Sequence, residues 1–86
     1  MAWSTSLVSD TLPAVQEKQF VKATRALSAA LKRRRRELGL TQEDVADTLG
    51  IVARQYQKIE SGDTNVTLRT LVRLAVALQT DLRDLL

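Results

Sequence analysis

In the stretch "ARQYQKIESG", Arg54, Gln57, Lys58 and Ser61 recur at i, i+3, i+4 and i+7, a spacing that lines them along one face of a helix. A guanidinium, a carboxamide, an ammonium and a hydroxyl are all hydrogen-bond donors, and no acid stands among them. The chemistry such a face offers is recognition of a polar or anionic partner. Catalysis has little to work with elsewhere: the chain has no histidine and no cysteine, and it shows no metal-ligand cluster and no phosphate-cradling glycine loop. Its carboxylates stand mostly at helix starts, where capping explains them. No enzyme activity, no metal and no cofactor are expected.

The elements that must position this face are short and closely spaced. Thr41 begins a helix with Asp44 three residues on, a short-armed capping box, and Val45, Ala46 and Leu49 form its apolar face. Gly50 stops it. A second helix follows at about Ala53 to Glu60, burying Tyr56 and Ile59 and ending at Gly62. Two helices packed at a steep angle need a small residue where their backbones approach, which is Ala46, and a glycine able to take positive φ in the turn, which is Gly50. Beyond the loop "GDTNV", Thr67 caps a fourth helix with apolar positions Leu68, Leu71, Val72, Ala75 and Leu78. Asp81 and Asp84 form a box-like start for a last short helix carrying Leu82, Leu85 and Leu86.

Before this pair, residues 1 to about 11 read as a Ser/Thr-rich tail, with a helix starting near Asp10-Thr11-Leu12-Pro13. From there to Leu38 nothing breaks a helix. Phe20, Leu27, Leu31 and Leu38, with Ala23, Ala26 and Ala30 beside them, give one long helix or two abutting ones a continuous buried face. Gly39 ends it. No strand signal occurs, so the fold class is all-α: a compact five-helix bundle with an N-terminal helical extension. Residues 1–25 form the tail and extension, and residues 26–86 the bundle.

The formal net charge of +3 hides an asymmetry: Lys18 to Arg36 carries eight basic residues and no acid. That segment suits a polyanion, although a basic helix is also what a solvated face looks like. At 86 residues the chain hides only about 60% of its unfolded surface, so its core is thin and a partner copy would help it. A homodimer is expected, with Leu82, Leu85 and Leu86 as the exposed apolar patch and Phe20 with Val21 as a rival interface. The opening "MAWSTSLVSD" lacks the pattern of a signal peptide, and "LVRLAVAL" is short and broken by Arg73, so no membrane span and a cytoplasmic location are expected.

The segment "LKRRRRELGLTQEDVADTLGI", then "YQKIESG", "NVTLRTLVRLAVAL" and "DLRDLL", about Leu27 to Leu86, resembles the Cro/C1-type (Xre-like) helix-turn-helix regulators related to the phage λ-type repressors. The resemblance implies a λ-repressor-like bundle that binds double-stranded DNA as a dimer, its second motif helix lying in the major groove. On that footing Arg54, in the first turn, is the first choice for reading a base, with two donors for a guanine edge. Lys58 reaches a base or a phosphate, Gln57 and Gln55 an adenine or the backbone, and Ala53 a thymine methyl. Gln42, Thr67 and Arg69 are implied phosphate contacts. Arg35 is implied to pair with Glu60 as a structural brace, while Lys32, Arg33 and Arg36 are either solvated or near a phosphate.

This sequence departs from the family pattern in three places. Val52 stands where a serine or threonine usually caps the recognition helix, Asp63 and Thr64 where basic residues are frequent, and Val66 where a proline is common. No effector or self-cleavage domain is expected, so activity is expected to follow concentration and operator spacing. The same fold also serves antitoxins and protein-binding adaptors, and a toxin-like partner could meet the N-terminal extension. Phage switch, restriction–modification controller and antitoxin roles, the operator sequence and the sign of regulation all stay open at this point.

Overall fold

The computed structural model describes residues 5–86, with side-chain surroundings from residue 12 onward. Five helices follow one another: α1 (Thr5–Glu37), α2 (Gln42–Leu49), α3 (Ala53–Ser61), α4 (Leu68–Ala77) and α5 (Leu82–Leu85). No strand occurs among the described residues, so the all-α bundle holds. The core gathers Leu31, Val45, Leu49, Tyr56, Leu74, Leu78 and Leu85 with Ala30, Ala46 and Ala75.

Helix α1 starts earlier than the sequence predicts. The tail expected to about residue 11 is helical from Thr5, while residues 1–4 lie outside the described residues. Pro13 sits inside the helix instead of in its first turn. There it removes one backbone N–H and crowds the preceding turn, a cost of about 3 kcal/mol in a helix interior. The helix bears it next to a stretch, residues 12–20, that is exposed throughout and packs on no core. The boundary expected at residue 25 falls within this one continuous helix, and the extension is an outgrowth of the bundle's first helix.

The turns that set the core are the ones the sequence marks. Thr41 and Asp44 complete a reciprocal capping box, the Thr41 Oγ accepting from the Asp44 N–H at 3.0 Å and Asp44 accepting from the Thr41 N–H at 2.8 Å. Gly50, at φ 72°, carries the tight α2–α3 turn, and Ala46 lies almost fully buried near it. The N–H of Ile51 closes that turn on the Ala46 carbonyl at 3.0 Å. Asp81 caps α5 by accepting from the Arg83 N–H at 2.9 Å, whereas Asp84 accepts from the Thr80 hydroxyl and completes no box.

Helix α4 is rotated from the expected phase. Leu74, absent from the predicted apolar stripe, is fully buried with Ala75 and Leu78, while Leu68 and Val72 point outward. Val76 joins them, giving an exposed row at i, i+4 and i+8. Its apolar residues cover more than half of the helix circumference, opposite Arg69, Thr70 and Arg73, an arc wider than the face the core takes up, so periodicity alone did not fix which part of it faced inward. Leu85 also corrects an expectation. It is 3% exposed and belongs to the core, Leu82 is half-buried, and only Leu86 is open, at 74%. The last helix packs on α1 and α4 and its final leucine is buried in the core, so Leu85 cannot serve an interface between copies.

Candidate nucleic-acid interface

Helix α3 is held at its back and free at its front. Behind it, Arg35 donates from Nε to Glu60 Oε2 at 2.8 Å and from Nη2 to Glu60 Oε1 at 2.7 Å. This bidentate fork, the strongest form of the Arg–carboxylate contact, fixes α3 against α1. Glu60 is 1% exposed. Burial pushes its carboxyl up, but the Arg35 hydrogen bonds and charge, with help from Gln42, outweigh that and hold it below the usual carboxylate range. The Arg35 guanidinium is raised in turn, first through its bond to Glu60. Arg35 also donates to the Leu40 carbonyl at 3.0 Å and Ser28 donates to the Glu60 carbonyl. Tyr56 closes the cluster with its phenol buried and pushed upward by that burial; its hydroxyl has no hydrogen-bond partner among the described residues.

On the front, Arg54, Gln57, Lys58 and Ser61 share the exposed face, with exposed Gln55 to one side. Neither Arg54 nor Lys58 has an ion-pair partner among the described residues. Ala53 is half-buried against the core, so little of its methyl is available to a ligand. Val52 caps α3 with no side-chain hydrogen bond, as its residue type dictates.

The backbone-contact candidates divide. Thr67 caps α4, accepting from the Thr70 N–H at 3.1 Å, and its hydroxyl proton goes to Thr70 Oγ1. Arg69 is exposed. Gln42 turns inward, its Nε2 donating to Glu60 Oε1 at 3.3 Å. That bond is long and weak, so Gln42 belongs to the brace as much as to the surface, while its backbone N–H stays at the N-terminus of α2. A cleft lined by Gln55, Lys58, Thr67, Thr70 and Arg73 joins the front of α3 to the start of α4; it brings Gln55 and Lys58 beside Thr67, while Arg54, Gln57, Gln42 and Arg69 lie outside it.

Two anchoring arginines escaped the sequence reading. Arg34 donates from Nε to the Leu78 carbonyl and from Nη2 to the Gln79 carbonyl, each at 2.9 Å, closing the end of α4. Its position was readable, three residues after Leu31 and seven after Leu27 on the packed face. Arg73 donates to the Leu49 carbonyl at the end of α2, a contact that nothing in "LVRLAVAL" announces.

A tight helix pair, a braced second helix and an outward face of unpaired cations and amides define a helix-turn-helix module built to meet nucleic acid. The family model for the HTH_3 helix-turn-helix matches residues 31–85, and the chain belongs to that family of DNA-binding regulators. Two solved structures are similar. The restriction-modification controller protein C.AhdI from Aeromonas hydrophila is 28% identical, with a TM-score of 0.71 over 78% of this chain and 96% of that one. The clp gene regulator ClgR from C. glutamicum is 25% identical, with a TM-score of 0.69 over 73% of this chain and 82% of that one. No curated protein sequence matches.

Proposed function

We propose that the protein regulates transcription by binding, as a homodimer, a two-fold-related operator in double-stranded DNA, with α3 in the major groove. The observation that carries this reading is the free row Arg54, Gln57 and Lys58 on a helix locked from behind by Arg35 and Glu60. A reading helix must present its donors in fixed positions, because base edges are told apart by the placement of donors and acceptors. Arg54 reads a guanine edge, and Gln57, Lys58 and Gln55 contact neighbouring bases or the backbone. Ala53 contributes whatever part of its methyl stays open. Thr67, Arg69 and the Gln42 carboxamide, swung from Glu60 and helped by the α2 N-terminus, hold phosphates. The two similar structures are a restriction-modification controller protein and a clp gene regulator, in keeping with this role.

The dimer seam is assigned to Leu68, Val72 and Val76 of α4 with Leu86 and the open side of Leu82, the exposed apolar surface of the bundle's C-terminal part. An alternative use of the fold, as an antitoxin or adaptor for another protein, draws on exposed Leu12, Val15 and Phe20 of the extension.

The test compares Arg54→Ala and Gln42→Ala on a cognate duplex and on its single-base variants, after circular dichroism has shown the helices intact. Arg54→Ala is expected to cost about 1–3 kcal/mol on the cognate site and to relax preference at one base pair. Gln42→Ala is expected to weaken every duplex by a similar factor. Equal loss on all duplexes for Arg54→Ala would make Arg54 a backbone contact. No loss for either variant, with a protein partner still bound, would put the adaptor reading first.

A further inference from the structure

The N-terminal half of α1 has no part in the function proposed above, and the family match begins only at residue 31. Helix α1 meets the body from about Thr24, where a side-chain carbon added at Gly62 would stand 3.6 Å from the Thr24 carbonyl oxygen and 4.0 Å from the Ser28 Cβ. Residues 12–20 are exposed throughout. Of the eight cations between Lys18 and Arg36, Arg34 and Arg35 turn inward to anchor α4 and α3. The other six, Lys18, Lys22, Arg25, Lys32, Arg33 and Arg36, are all exposed and have no ion-pair partner among the described residues.

At 3.6 residues per turn these six fall within roughly 100° of the helix circumference, and at 1.5 Å per residue the row from Lys18 to Arg36 runs about 27 Å. No acid stands in it. The nearest carboxylates lie beside it: Glu17 precedes the row, Glu37 pairs with Arg34 at 3.7 Å, and Asp63 accepts from the Ser61 hydroxyl at 3.1 Å. The row also joins the front of α3. Arg25 and Lys32 line the same groove as Ser61 and Gly62, and Ser61 is the last member of the Arg54–Gln57–Lys58–Ser61 face.

We propose that this row is a second DNA-backbone contact, in which the α1 extension lays Lys18, Lys22 and Arg25 along phosphates flanking the half-site that α3 meets. The proposal rests on the reading of α3 as a DNA-binding helix. The stretch from Lys18 to Arg25 is about 10 Å long and matches about three base pairs at 3.4 Å each, so its charges act together within a Debye length of about 10 Å. Continuity with the α3 face selects DNA over an acidic protein. Phe20 and Val21 border the row in that groove, so the case for DNA rests on this continuity and on the unbroken positive charge.

The test uses the full chain and a duplex that the wild type selects from a random-sequence pool, prepared bare and with ~10 base pairs of arbitrary sequence, about one helical turn, added on each side. The variant is Lys18→Gln/Lys22→Gln/Arg25→Gln. Glutamine matches lysine and arginine in helix propensity, and all three positions are exposed, so the fold is kept. Wild type is expected to bind the flanked duplex several-fold tighter than the bare one. The triple variant is expected to lose that gain and to show a slope of log affinity against log salt shallower by about 2–3, close to 0.9 per lost phosphate contact. Its base preference is expected to stay unchanged. Arg54→Ala separates the two ideas, since it should lose base preference and keep the gain from flanks.

A triple variant with the full flank gain and salt slope overturns the proposal and leaves the α3 reading standing. A triple variant that changes sedimentation but not the slope assigns the face to a second copy and overturns the proposal as well. A wild type that selects no duplex removes the α3 reading, and the row is then judged on an arbitrary duplex, where an unchanged slope removes it too.

Discussion

Glu60 shows how a buried charge can be a requirement of the fold without being a net source of stability. Removing its partner alone, in Arg35→Met, leaves a desolvated carboxylate against Tyr56 and Gln42 and should cost about 3–5 kcal/mol in denaturant unfolding. The double variant Arg35→Met/Glu60→Leu should recover most of that loss, because an apolar pair of similar volume carries no desolvation penalty. A double variant no more stable than Arg35→Met would mean that the pair does more than satisfy itself. The pH dependence has a definite sign. The folded-state carboxyl of Glu60 is held below its ordinary value of 4.5, so its contribution is fully present above about that pH and is lost as the pH falls through the lower folded value. Urea midpoints measured from neutral pH down to about 3 should therefore fall less steeply at the acid end for Glu60→Gln than for wild type.

At the scale of elements, α1 to α4 all end in one hydrogen-bond pattern, and three of the four ends were visible in the sequence. Gly39, Gly50 and Gly62 take φ of 69°, 72° and 82°, and the following N–H in each case reaches back to a carbonyl five residues earlier. Helix α4 ends the same way, the Thr80 N–H bonding to the Ala75 carbonyl at 2.9 Å, yet its left-handed residue is Gln79, at φ 53°. Nothing about a glutamine announces that conformation, and the two carbonyl bonds from Arg34 that hold it come from a helix more than forty residues away. Gln79→Gly should raise stability by about 1 kcal/mol, the strain a side chain carries in the left-handed region, and thermal unfolding would register it as a higher Tm. A lower Tm would show that the Gln79 side chain supplies more than the strain removes.

The same contrast explains how far sequence reading went. Thr41, Asp44, Ala46 and Gly50 fix the motif through local chemistry, and the Arg35–Glu60 brace came with the family pattern. The phase of α4 was not legible because Leu71, Val72, Leu74, Ala75 and Val76 form an apolar arc wider than the face that the core takes up. Gln42 looked free because its bond to Glu60 depends on where α1 and α3 bring that carboxylate. The early start of α1 was hidden because Pro13 reads as a first-turn residue until an exposed helix is seen to run through it.

For the whole molecule, the exposed row of Leu68, Val72 and Val76 decides what DNA binding should look like. These side chains are 65%, 45% and 73% exposed, and a bundle this small gains from covering them with a second copy. Val76 takes no part in the core, so Val76→Glu should leave the helices intact and place a charge in the seam, where a second copy would bring a like charge opposite. The expected result is a dimer for wild type and a monomer for Val76→Glu in sedimentation at micromolar concentration. DNA binding then follows from geometry. Two recognition helices related by a two-fold axis enter successive major grooves, so wild type should prefer paired half-sites with centres ~34 Å apart. The second half-site adds affinity only while the two copies stay joined, and that linkage is worth about 10²–10⁴-fold. Val76→Glu should therefore bind the paired site little better than a single half-site, with the base preference of each half-site unchanged. If Val76→Glu sediments and binds as wild type does, α4 is not the seam, and the dimer would have to form through Phe20 and Val21 of the extension, where deleting residues 1–24 would dissolve it.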